Sequence, residues 1–81
     1  MNNIIGRIYC ITNKVNGKRY IGKTISSIER RFWEHCNERF RSPNRPLYRA
    51  MNKYGIENFE ISLVETCDYR DLSNRETYWI S

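Results

Sequence analysis

Residues 6–24 read GRIYCITNKVNGKRYIGKT, and this stretch decides the fold. Arg7 to Thr12 and Lys18 to Lys23 are rich in β-branched and aromatic residues, the composition of strands. Between them Asn16-Gly17 accepts positive φ at both positions, which predicts a tight primed turn closing an antiparallel ribbon. Strand side chains alternate faces and opposed residues share one. A turn centred there therefore sets Tyr9 and Tyr20 on the same side of the ribbon, offset along it. They are either packing aromatics or polar groups held for a purpose.

Working outward, Ser26-Ser27-Ile28-Glu29 opens a helix, with Ser26 as N-cap and Glu29 completing a capping box. Ile28, Phe32, Cys36 and Phe40 form its apolar stripe. A loop at Ser42-Pro43-Asn44 leads to a second helix, with Pro46 in its first turn and Gly55 as its stop. That helix is expected to bury Leu47, Ala50, Met51 and Tyr54. Asn58 to Val64 alternates Phe59, Ile61 and Leu63 with Glu60 and Ser62, a strand with one buried face. Asp68 caps a third helix running from Tyr69 to the end. The expectation is an α/β chain of the α+β kind, a small three-stranded, mostly antiparallel sheet with flanking helices in the order β-β-α-α-β-α.

Eighty-one residues make a single domain, 40% hydrophobic and 28% charged, with no repeat, linker or low-complexity stretch. Nothing approaches the run of about 20 apolar residues that spans a bilayer, and the start lacks the pattern of a secretory signal. The three cysteines are scattered and form no CxxC pair, which argues against a disulfide framework or zinc cluster and for an intracellular, reducing setting. A net charge of +5 fits a polyanionic partner, nucleic acid before membrane, although a basic balance also serves solubility alone.

Several polar residues fall where packing alone would not put them. On the last helix Leu72, Trp79, Tyr69 and Ile80 define one stripe, and Glu76 lands about 40° from Leu72, in its middle. A carboxylate there is either half of a buried ion pair, with Arg75 or a more distant arginine, or a ligand for a hard divalent cation. On the first helix His35 and Arg31 stand about 20° and 60° outside the apolar stripe. Being four residues apart, they leave the helix from one edge. That edge either faces a cleft or is a boundary histidine with a snorkelling arginine. Arg45, Arg49 and Lys53 recur every four residues on the second helix and form either a solvated face or a ridge that tracks phosphates. No GxGxxG, P-loop or GxSxG occurs, and one histidine cannot build a histidine-rich metal site. Glu60 and Glu65 have opposite strand parity and no aspartate nearby, which counts against a two-metal carboxylate site.

With these residues assembled, the chain resembles the catalytic domain of GIY-YIG nucleases, most closely that of phage homing endonucleases. The first triplet of the family signature is Arg7-Ile8-Tyr9, with arginine in place of glycine and Gly6 one position earlier. The second, Tyr20-Ile21-Gly22, is intact and is followed by Lys23 as in the excision-repair branch. The family's helical arginine, with histidine four residues on, matches Arg31 and His35; its C-terminal glutamate matches Glu76 in RETYWI. LYRAMNKYG at 47–55 resembles the segment between those motifs. The similarity runs over essentially the whole chain, 1–81, in the expected order.

The resemblance implies a magnesium-dependent DNA endonuclease with one divalent ion, Mg²⁺ or Mn²⁺, on Glu76 and Arg31 steadying the phosphoryl oxygens. Tyr9 then works as base or water-positioner, Tyr20 hydrogen-bonds nearby, and His35 shares the proton; the base stays open between Tyr9 and His35. A tyrosine of pKa about 10 needs a cationic neighbour for such work, and strand pairing offers Lys23. The family pattern also places an asparagine after the last helix, so the chain reads as the N-terminal piece of a longer protein. The polar position in the loop before the second helix falls to Ser42, with Asn44 close by. Expected partners are DNA and no membrane, for a monomer targeted by a region outside this chain. The alternative is a catalytically inactive, basic nucleic-acid-binding module on the same scaffold.

Overall fold

A computed structural model describes residues 4–80; Ser81, to which the last helix was expected to run, lies outside the described residues. The chain runs β1 (Ile5–Asn13), β2 (Arg19–Thr24), α1 (Ile28–Glu38), α2 (Pro46–Tyr54), β3 (Phe59–Asp68) and α3 (Leu72–Ile80). Short 3₁₀ turns precede β3 and α3. The three strands form one sheet in the order β2-β1-β3. Both pairings are antiparallel. β1, the central strand, is covered on both faces, and Ile8 and Ile11, which point opposite ways, are both fully buried. That double burial accounts for its nearly continuous apolar reading.

The ribbon turn differs from the expected two-residue form. Among described residues no non-glycine residue has positive φ, so Asn16 does not take the conformation a primed turn requires. The chain instead makes one helical turn, in which the Gly17 N–H donates to the Asn13 carbonyl, and leaves it through Gly17 at φ 76°. The longer loop shifts the register by an even number of residues. Tyr9 therefore opposes Gly22 and Ile11 opposes Tyr20, and the two tyrosines still share a face.

That face receives α1 and α2. Tyr9, Ile11, Cys36, Tyr48, Met51 and Phe59 form the buried cluster, with Tyr20, Ile28, Phe32 and Leu47 packed around it. The N-cap of α1 is Ser27, whose Oγ accepts from the Arg30 N–H; Ser26 instead pairs with Thr24 Oγ1, so the expected capping box is absent. Phe40, expected to extend the stripe, lies beyond the helix end and is 68% exposed. Gly55 ends α2 at φ 88° as expected.

The other face receives α3, and Gly6 makes that approach possible. A Cβ there would stand 2.8 Å from a Leu72 methyl. β3 begins one residue later than expected, at Phe59, and continues four residues beyond Val64. It carries a bulge, since Leu63 opposes Tyr9 whereas Glu65 opposes Ile8, leaving Val64 as the extra residue. The bulge reverses the expected parity: Glu60, opposite Thr12, and Glu65, opposite Ile8, lie on the same face. Leu63, expected to be buried, is 51% exposed. Of the expected α3 stripe only Leu72 is buried; Tyr69, Trp79 and Ile80 are 48%, 40% and 63% exposed. Asp68 caps the 3₁₀ turn ahead of α3, its carboxylate accepting from the Arg70 N–H.

Candidate active site

The register of the ribbon builds the first wall. Tyr9 reaches sideways across Gly22 toward the open edge of β2, and a side chain on Gly22 would collide with the phenol oxygen. Glycine in the second triplet is thus required by the tyrosine of the first. Tyr20, two positions back on the same face, is half-buried beside the core and lines the cleft as well.

α1 supplies the second wall. His35 is only 8% exposed, and both its ring nitrogens are engaged. Nε2 lies 2.6 Å from the Tyr9 hydroxyl and Nδ1 lies 2.7 Å from the Tyr48 hydroxyl. Burial, with Arg31 and Arg45 nearby, pushes its pKa down to about 4, so the ring is neutral at pH 7. One turn earlier, Arg31 is steadied by Glu34 at 3.1 Å and faces the Tyr9 phenol. Burial raises the Tyr9 phenol above the ordinary tyrosine value, while the Arg31 charge and hydrogen bond pull it back.

α3 supplies the third wall. Glu76 is half-buried and pairs with the Lys23 ammonium at 3.6 Å; Lys23 also donates to Ser73 Oγ at 2.9 Å. The helix is clamped to the sheet by its neighbour Arg75, whose guanidinium grips both oxygens of Glu65 at 2.7 and 2.8 Å. Trp79 Nε1 donates to the same carboxylate. The bulge at Val64 turns Glu65 toward α3 and so makes the clamp possible.

Tyr9, Tyr20, Lys23, Arg31, His35 and Glu76 therefore all line one cleft, together with Arg45 and Tyr48. Arg49 and Lys53 do not reach it. They border an adjoining groove with Lys18 of the ribbon turn, and Tyr20 and Pro46 are common to both. Three details depart from expectation. The cation facing Tyr9 is Arg31, whereas Lys23 opposes Ile8 and turns to Glu76. Arg75, considered as the partner of Glu76, belongs to Glu65. Neither Ser42 nor Asn44 lines the cleft; the loop's contribution is Arg45. Tyr48 is a residue that periodicity missed, because it stands about 60° past Met51, outside the stripe of α2.

Among described residues no group of three or more histidine, cysteine, aspartate or glutamate side chains could enclose a metal. A lone, accessible carboxylate still suits a small hard cation that keeps most of its waters and takes further oxygens from a phosphate substrate. The donor set fits an ion completed by substrate and does not fit one caged by protein.

The GIY-YIG catalytic domain family matches residues 5–81, and the chain belongs to this nuclease family. Uncharacterized protein 019R of Invertebrate iridescent virus 6 is 37% identical over 79 residues, covering 94% of this chain and 28% of that protein. SegB of Enterobacteria phage T4, provisionally named an endonuclease, is 36% identical over 63 residues, covering 78% of this chain and 25% of that protein. The chain thus spans about a quarter of the length of the curated relatives it matches. The solved catalytic domain of the homing endonuclease I-TevI superposes with a TM-score of 0.77 at 30% identity, covering 93% of this chain and 84% of that one. The small antiparallel sheet with flanking helices is the fold they share.

Proposed function

We propose that this domain is a metal-dependent DNA endonuclease that hydrolyses one phosphodiester bond per active site. The observation that carries the reading is convergence: a phenol from β1, a guanidinium from α1 and a carboxylate from α3, remote in sequence, line a single cleft. Hydrolysis forms a bond from water oxygen to phosphorus, breaks the bond to the 3′-oxygen, and moves a proton from the water and another to the leaving oxygen.

In this reading Tyr9 takes the water's proton as a phenolate, its own proton having first left to solvent through the cleft, an ionisation that burial opposes and the Arg31 charge favours. His35 is neutral and both its nitrogens are occupied, so it acts through Tyr9 and not directly on water. Arg31, permanently charged and forked, suits the phosphoryl oxygens on which charge accumulates. Tyr20 flanks Tyr9 on the same face and orients the attacked phosphate. Glu76 would hold Mg²⁺ or Mn²⁺, and the bound ion supplies positive charge for the leaving oxygen. Lys23 serves as the carboxylate's counter-ion until then.

Arg45 at the cleft, with Arg49 and Lys53 along the adjoining groove, gives the DNA backbone a basic path past the site. An 81-residue domain has few groups to spare for base edges, so sequence targeting falls to a region outside this chain, and the domain acts as a monomer. Among described residues no helix is long and apolar enough to cross a membrane, and three free cysteines suit an intracellular setting.

The test is supercoiled plasmid with and without metal. Nicking with Mg²⁺ and none with chelator supports the reading. Salt-sensitive binding without cleavage under any metal would leave only the inactive nucleic-acid-binding module.

A further inference from the structure

A strand that reacts in this cleft leaves it in two directions, and the molecule offers them unequal holds. The cleft opens at the edge of β2, between the sheet face covered by α1 and α2 and the face covered by α3. On the α2 side the adjoining groove begins at Tyr20 and Pro46, which it shares with the cleft. Its lining holds Lys18, Arg49 and Lys53 and no carboxylate. The Lys18 ammonium stands 5.8 Å over the Tyr20 ring and the Lys53 ammonium 5.1 Å over the Tyr54 ring. Both rings pack against the core, so the groove presents charge to phosphates more than it presents a stacking platform to bases.

The α3 side is poorer in free charge. Arg75 grips Glu65, Arg70 grips Asp68 at 2.9 and 3.0 Å, and Lys23 pairs with Glu76. Arg19, on the same sheet face as Lys23, stands four residues back along β2, about 13 Å away.

The direction of hydrolysis gives these two sides a polarity. In the nuclease reading, on which this inference rests, water approaches phosphorus from the Tyr9 side and the 3′-oxygen leaves in line toward Glu76. That oxygen belongs to the nucleotide 5′ of the cut, so that segment departs over α3. The phosphate and the segment 3′ of the cut stay on the Tyr9 side, where the groove begins.

We propose that the domain holds its DNA strand asymmetrically: the segment 3′ of the cut lies in the Lys18–Arg49–Lys53 groove, and the segment 5′ of the cut crosses α3 with little hold. After cleavage the fragment that carries the new 5′-phosphate is retained, and the fragment that ends in a 3′-hydroxyl leaves first.

Two pentathymidylates read the polarity, one with its terminal phosphate at the 5′ end and the other with it at the 3′ end. Their equal length and charge remove any general electrostatic difference. In calorimetric titrations at low salt with chelator, the wild-type domain is expected to bind the 5′-phosphate isomer roughly five- to tenfold more tightly. In the triple variant Lys18→Ala, Arg49→Ala, Lys53→Ala, changed only at exposed positions, the two affinities are expected to converge. Equal affinities in the wild type, no binding of either isomer, or a preference for the 3′-phosphate overturns the proposal. So does a preference that survives in the folded triple variant. If the wild type nicks plasmid but binds the isomers alike, the polarity fails and the nuclease reading stands. If it prefers the 5′-phosphate isomer through the groove and never nicks, the nuclease reading fails and the oriented groove stands.

Discussion

The two faces of the sheet do different work with different physics. On one, α1 and α2 press Tyr9, Tyr48, Cys36, Met51 and Phe59 into a dry cluster, and hydrogen bonds below 3 Å run through it. On the other, α3 buries little beyond Leu72 and is held by charge, Arg75 to Glu65 and Lys23 to Glu76, in groups partly open to water. The first face holds its polar groups to close partners, His35 between the Tyr9 and Tyr48 hydroxyls, because an unpaired buried donor is expensive. The wet face keeps a carboxylate that stays charged and open to exchange its partner. The cleft forms at the edge of β2, where the two meet.

Changes at the junction are expected to have the largest effect. Arg31→Ala removes the charge facing both Tyr9 and the proposed phosphate position, and single-turnover nicking should fall by roughly 10²–10³-fold with the fold intact. Loss of under tenfold would place Arg31 outside the reaction. On the dry face, Met51→Ala truncates a side chain that is 1% exposed and should destabilise the domain by about 2–5 kcal/mol in urea titrations. A change below 1 kcal/mol would contradict the packed cluster.

The same face carries a pH signature. His35 has a folded pKa of about 4 against 6.5 for an unperturbed histidine. As pH falls through that interval the unfolded chain gains a proton that the folded one refuses, so the unfolded state is favoured. Stability from this group is complete above about pH 6.5 and is lost progressively toward pH 4, up to about 3 kcal/mol in all. Equilibrium unfolding at stepped pH measures the slope, and His35→Gln should flatten it. The smallest effect belongs to the wet face. Glu65→Gln should lower the melting temperature slightly, and the gap to wild type should close in high salt, as expected for an exposed pair. A salt-independent drop would mean that the clamp is packing and not charge.

What the sequence disclosed follows the same division. The placement of Tyr9 and Tyr20 was legible because faces alternate with period two, and a register shift of two residues leaves them together. That Arg31 and His35 leave α1 from one edge was legible from their four-residue spacing, and Glu76 stood out on the last helix. Spacing left packing alternatives open for all three, and only the family resemblance pointed to a site. The bulge at Val64 was not legible, since one extra residue carries no local signature, yet it sets which way Glu65 points. Tyr48 was missed because it meets His35 from off the stripe of its own helix, a contact between elements that periodicity within one cannot show. Lys23 was misplaced for a different reason: it opposes Ile8 and not Tyr9, so it points to the other face of the sheet, where Glu76 of α3 meets it.

The most direct measurement is the single-turnover nicking rate of Glu76→Ala beside wild type, with melting temperature recorded on the same preparations. If the last helix brings its carboxylate to a metal in the reacting cleft, cleavage should collapse by about 10³-fold or more while melting stays nearly unchanged. A folded variant that still nicks DNA at close to the wild-type rate would contradict the account.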